Sequence, residues 1–312
     1  MKFCYPFVIA FFVGLALETV AGDDSTRRRN AKPQPESTQV LEPPALSTGP
    51  ATAGCRVAVH APEFADTNIV HHVYLPDNWN QNGPPLPIIF EYTGNRHPPT
   101  GSTGDPKDAV LGYGISGGRF IWVTLPYVDE SGKRNAPNWW GDIDATVHYA
   151  KVNVPRIIRR FNADPDAVFL CGFSRGAIGV SLIGLHDDEI ASHWTAFVTH
   201  DHFDGVRQWR STDWGSPLDD YREQAIRRIK RAGNRPWLVS QNGNIDPTKD
   251  FLRASLSHTE HFTFLPVNTR EALGEFPNAL AKAAHTDAWL LKPSRYRTSA
   301  WNWVNDVLSP AD

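Results

Sequence analysis

Gly172-Phe173-Ser174-Arg175-Gly176 constrains the fold more than any other segment, because it joins two runs that favour different backbones. The residues before it, Asp166 to Cys171, have the length and composition of a buried strand. Those after it, Ala177 to Leu185, are small and compatible with a helix. A serine can be lifted out of a sheet edge on a strained strand-to-helix turn only if its flanking residues lack bulk. A glycine two residues either side of Ser174 meets that condition, and Ser174 becomes a candidate nucleophile rather than an ordinary loop residue.

Further apolar runs predict strands at Cys55 to His60, Ile69 to Leu75, Ile88 to Thr93, Phe120 to Leu125, Ala167 to Cys171, Trp194 to Thr199, Trp237 to Ser240 and Phe262 to Leu265. The first two sit close together, as in a hairpin, while the later ones are separated by segments long enough for crossover helices. One such segment, Ile143 to Phe161, puts Ile143, Val147, Ala150, Val154, Ile157 and Phe161 on one helical face, with Pro155 expected to kink or restart it. Trp301, Val304 and Leu308 repeat that spacing after Thr298-Ser299, which predicts a capped C-terminal helix. The expected class is α/β: a mostly parallel, eight-stranded sheet flanked by helices.

The chain has 312 residues, 41% of them hydrophobic, and a net charge of -3, enough for one large domain and without the basic stripe of a nucleic-acid binder. Met1 to Gly22 combines Lys2, an apolar stretch from Cys4 to Leu17 and a small-residue end, the pattern of a secretory signal peptide. The alternative is an uncleaved anchor, since Arg27, Arg28 and Arg29 follow; cleavage predicts a secreted or periplasmic protein without stable membrane insertion. Asp23 to Ala53 is rich in Pro, Ser, Thr and charge and reads as a flexible linker to a domain over 54–312. Cys55 and Cys171 either pair or remain free buried thiols, and no two cysteines have zinc-ligand spacing.

The order of elements, with Ser174 after the fifth strand, resembles the α/β-hydrolase fold over residues 55 to 309, and within it secreted esterases of the polyhydroxybutyrate-depolymerase and feruloyl-esterase type. That resemblance implies a chain order of serine, acid, histidine. His285, after the last predicted strand, is then the base, with His258, His261 and His202 as alternatives. The acid is expected at the carboxyl end of a strand between them. Asp246, in the loop after Trp237 to Ser240, is the first choice, Asp201 the rival, and Asp250 and Asp287 further options. The oxyanion donors are expected to be the N–H of Arg175 and one from Thr93, Gly94 or Asn95.

Two aromatic and polar clusters remain. Trp139 and Trp140 stack on a substrate ring or fill the core, and Trp209, Trp214 and Tyr221 occupy a segment where this fold often inserts a cap. His200 and His202 either line the cleft or, with Asp201, begin a metal site that lacks a third well-placed ligand. The resemblance implies hydrolysis of a carboxylic ester, small or polymeric, through an acyl-enzyme and without a cofactor. A peptidase using the same triad and an inactive carbohydrate-binding module are the competing readings.

Overall fold

The computed structural model describes residues 38–210, 212–274 and 284–309. The expected signal peptide and the linker up to residue 37 lie outside these described residues.

Among the described residues nine strands form one sheet: β1 (Leu46–Ser47), β2 (Arg56–Val59), β3 (His71–Tyr74), β4 (Leu86–Tyr92), β5 (Ile121–Leu125), β6 (Ala163–Phe173), β7 (Ala196–His200), β8 (Trp237–Asn242) and β9 (Phe262–Val267). Their order is β1-β2-β3-β5-β4-β6-β7-β8-β9. β3 runs antiparallel to both neighbours, and the remaining pairs are parallel. Every expected run is a strand, and β1 makes the sheet one strand wider than predicted. Part of the expected linker therefore belongs to the domain: Leu46–Ser47 pairs with β2, and Leu41 is buried with its N–H on the Leu291 carbonyl at 2.8 Å.

The helices are α1 (Leu111–Ser116), α2 (Ile143–Arg160), α3 (Arg175–Leu182), α4 (Asp188–Ala191), α5 (Leu218–Ile229), α6 (Asp246–Ser255), α7 (Thr269–Leu273) and α8 (Arg295–Leu308). Alternate strand residues divide the core into two layers, as a parallel sheet covered on both faces requires. Phe90, Leu170 and Phe197 pack with Val154 of α2, Ile178 of α3 and Ala225 of α5. Ile89, Phe169 and Val198 pack with Leu111 of α1 and Trp301 and Val304 of α8. α2 runs as one helix through Pro155, because its buried face of Val147, Ala150, Val154 and Ile157 outweighs the one backbone bond the proline removes. α8 starts a turn earlier than expected. Ser294 is its cap, accepting from the Arg297 N–H, while the Thr298 and Ser299 hydroxyls bond back to the carbonyls four residues before them. No helix among the described residues is long and apolar enough to cross a membrane.

β3 carries two adjacent buried histidines, one on each face. His71 accepts or donates at Nδ1 to Tyr149 Oη at 2.7 Å and leaves Nε2 without a partner, while His72 Nδ1 has none. Burial pushes His71 down to about 3 and His72 to about 4, helped by His72 beside the first and Arg56 beside the second. An unfolded histidine titrates near ~6.5, so on acidification the unfolded chain takes up these protons first. Stability is therefore expected to hold above about pH 6.5 and to fall below it by about 1.4 kcal/mol per pH unit for each histidine. Urea unfolding at pH 7, 6 and 5 measures the slope; a flat profile would mean that neither ring is held neutral.

Candidate active site

Ser174 sits where the elbow was expected, between the end of β6 and the start of α3, at φ 57° and ψ −122°. A non-glycine residue there stores about 1–3 kcal/mol of strain, which the surrounding packing must hold. The two glycines make the turn possible. A Cβ on Gly172 would stand 2.1 Å from the Gly176 carbonyl oxygen, and one on Gly176 would stand 1.8 Å from that of Tyr92. Both obstacles are backbone, so neither can swing aside. Gly176→Ala is accordingly expected to cost about 3 kcal/mol or more, measured by urea unfolding, through overpacking against β4.

His285 Nε2 lies 2.8 Å from Ser174 Oγ, and its Nδ1 lies 2.8 Å from Asp201 Oδ2. The serine–histidine contact is the one expected; the carboxylate on His285 is that of the rival, Asp201, and not of the first choice, Asp246. Asp246 opens α6 at the surface, with its side chain 67% exposed and Lys249 Nζ at 3.5 Å, and it makes no contact with His285. The reason lies in strand register. β6 and β7 pair Phe173 with His200, so the next residue on each strand, Ser174 and Asp201, leave the sheet side by side. The Ser174 N–H donates to the His200 carbonyl at 3.0 Å, and Asp201 turns under the edge at φ 70°. The last residue of β8 contributes a backbone donor instead: the Asn242 N–H donates to Asp201 Oδ1 at 2.6 Å.

Burial alone would raise the Asp201 carboxyl, but His200, His285 and the Asn242 N–H hold it down to about 2. The opposite holds for Asp287, whose carboxyl burial and nearby Glu91 push well above its usual range, which unsuits it for the anionic partner of an imidazole. Asp250 is exposed on α6. Of the alternative bases, His258 and His261 line a separate hollow, and His202 packs its ring 4.8 Å from that of His285.

A pocket of about 430 Å³ opens at Ser174 and His285, bounded by Thr93, Gly94, Asn95 and Phe173. Gly94 approaches Ser174 closely: a Cβ there would lie 3.3 Å from Ser174 Cβ. Arg175 begins α3, so its N–H and the positive end of the helix face the same region. The expected oxyanion residues are thus gathered around Ser174.

The residues expected to bind substrate divide. His200 is fully buried: its Nδ1 lies 3.0 Å from Ser240 Oγ and its Nε2 accepts from Trp289 Nε1 at 3.1 Å, with the Thr286 carbonyl 3.0 Å away. It supports the Asp201 and His285 segments and does not line the cleft. His202 accepts from Arg207 Nη2 at 3.2 Å and packs 4.4 Å from Trp209; burial, with His285 and Arg207 nearby, pushes it down to about 2 and keeps it neutral. Trp140 is core, edge-on to Tyr127 at 5.8 Å. Trp139 is half-buried at φ 48°, 6.0 Å from Trp209 and 6.3 Å from Trp214, in an aromatic shelf that continues through His202 to His285. Among the described residues no group of three His, Cys, Asp or Glu is arranged to hold a metal ion.

Sequence reasoning missed two buried groups beneath this site. Glu91 accepts from the Leu111 N–H, the Gly112 N–H and Trp122 Nε1 at 3.0, 2.8 and 2.8 Å, tying β4 to α1; burial raises it to about 7 against those bonds. A glutamate inside an apolar strand run is the signal that could have found it. The other group is the side chain of Arg175.

No protein-family model and no curated protein sequence matches the chain. Solved structures do resemble it. An arylesterase shares 14% identity over 88% of this chain and 89% of its own, with a TM-score of 0.52. A feruloyl esterase module from Clostridium thermocellum shares 15% over 74% of this chain and 87% of its own, TM-score 0.46, and a thermophilic carboxylesterase from a metagenomic library 16% over 83% and 90%, TM-score 0.44. At these identities the likeness is one of fold: the chain has the α/β-hydrolase fold.

Proposed function

We propose that the protein hydrolyses carboxylic esters through an acyl-enzyme on Ser174. The observation that carries this reading is the unbroken relay from Ser174 Oγ through both His285 nitrogens to Asp201, with each contact at 2.8 Å, at the mouth of a pocket. Ser174 Oγ attacks the ester carbonyl while His285 Nε2 takes its proton. The same proton then passes to the departing alcohol, and a water repeats the sequence to release the acid. Asp201 keeps His285 Nδ1 protonated and stabilises the imidazolium. The N–H groups of Arg175 and of the Gly94–Asn95 segment receive the developing oxyanion.

The amino-terminal signal pattern supports an exported enzyme, acting on an acylated polysaccharide, a polyester or their fragments. Trp139 and its shelf are suited to a flat ring at the rim, on either the acyl or the alcohol side. The test is a panel of p-nitrophenyl esters and matched anilides with the purified protein. Turnover of esters with little of anilides is expected; selective turnover of anilides would make it a peptidase, and sugar binding with no turnover would make it a binding module.

A further inference from the structure

The Arg175 side chain has a task separate from that of its backbone. Arg175 is 1% exposed, and no carboxylate among the described residues pairs with its guanidinium. It donates from Nη1 to the carbonyls of Ala136 (3.2 Å) and Trp139, and from Nη2 to those of Gly94 (2.9 Å) and Gly104 (3.2 Å), while it lies 4.2 Å over the Tyr127 ring. Its Nη1 and Nη2 donors find carbonyls, but its buried Nε has no partner; burying a cation without a counter-ion is unfavourable, and an apolar side chain would fill the space without that cost. The bonds also form a circuit. Arg175 holds the Gly94 and Trp139 carbonyls, and Asn95 Oδ1 accepts the Trp139 N–H at 2.8 Å.

We propose that the Arg175 side chain is a positioning residue for the oxyanion loop: by holding the Gly94 carbonyl it sets the Gly94–Asn95 peptide plane against the nucleophile. In a trans peptide the N–H points opposite the C=O, so the guanidinium turns the Asn95 N–H away from itself. A charge-assisted bond at the carbonyl also polarises that N–H as a donor. Because Arg175 follows Ser174 directly, the nucleophile, the oxyanion loop and the Trp139 backbone are fixed to one residue.

The inference rests on the esterase reading, so its test uses a probe whose failure modes differ. A fluorophosphonate places its P=O oxygen where the oxyanion forms. Arg175→Lys, which keeps the charge but lacks the planar fork, and Arg175→Met are compared with wild type for second-order labelling of Ser174, per folded molecule as judged by circular dichroism. Labelling about 10- to 100-fold slower is expected, with kcat for p-nitrophenyl acetate falling in parallel and KM within about twofold. If Arg175→Met does not fold, Arg175→Lys carries the comparison. Folded variants labelled as fast as wild type would overturn the inference alone. An unlabelled wild type would remove the esterase reading and the inference with it.

Discussion

Ser174→Ala is expected to lower kcat for any ester the protein turns over by on the order of 10⁴- to 10⁶-fold and to abolish fluorophosphonate labelling. His285→Ala should have an effect of the same size. The hydroxyl is a poor nucleophile until the imidazole at 2.8 Å takes its proton, so removing either partner leaves only oxyanion stabilisation and binding. The double variant should fall little further, because residues that act as one unit are not additive. Kinetics of the two single variants and the double variant on one p-nitrophenyl ester measure this. A second drop in the double variant as large as the first would mean that Ser174 and His285 act independently.

Asp201→Asn is expected to lower kcat about 10⁴-fold, whereas Asp246→Asn should leave it within about twofold. The amide has nearly the shape of the carboxylate but can present an N–H to His285 Nδ1. The imidazole is then held in the tautomer that carries no free lone pair toward Ser174. Asp246, 67% exposed beside Lys249, has no route to the imidazole. The pH sign is fixed too. Asp201 is held to about 2, below its unfolded value of ~3.9, so its contribution to stability is present above about pH 4 and is lost as the pH falls toward 2. Protonation of Asp201 is therefore not expected to contribute to a loss of activity between pH 5 and 7. Stopped assays of both variants across pH 4 to 9 settle which carboxylate acts, and equal losses would contradict the assignment.

The main strands were legible because parallel strands buried on both faces read as near-continuous apolar runs, as in Ile88 to Phe90 or Phe169 to Cys171. β1 was not, because two exposed residues, Leu46 and Ser47, have no pattern to read and owe their place to pairing with β2. Ser174 was legible as a candidate because the steric demand falls on residues two places either side of it in sequence, Gly172 and Gly176. The base followed from chain order. The acid did not, because both β7 and β8 end in an aspartate-bearing loop, and register between β6 and β7 decides which one lies beside Ser174. His200 and Trp140 looked like cleft residues from their place at loop edges, yet each points into a packed layer. The Arg175 guanidinium was least legible of all. An arginine after a candidate nucleophile suggests a surface cation, and only the convergence of Gly94, Gly104, Ala136 and Trp139 explains its burial.

On the proposed reading, the separation of Ser174, Asp201 and His285 along the chain also has a consequence for biosynthesis. Ser174 and Asp201 come together when two neighbouring strands pair, but the base lies at position 285 of 312. A nascent chain can thus form the elbow and seat the acid while the nucleophile still has no proton acceptor. On that reading, hydrolytic competence arrives only after His285 has left the ribosome, and the partly made chain is inert toward esters until then.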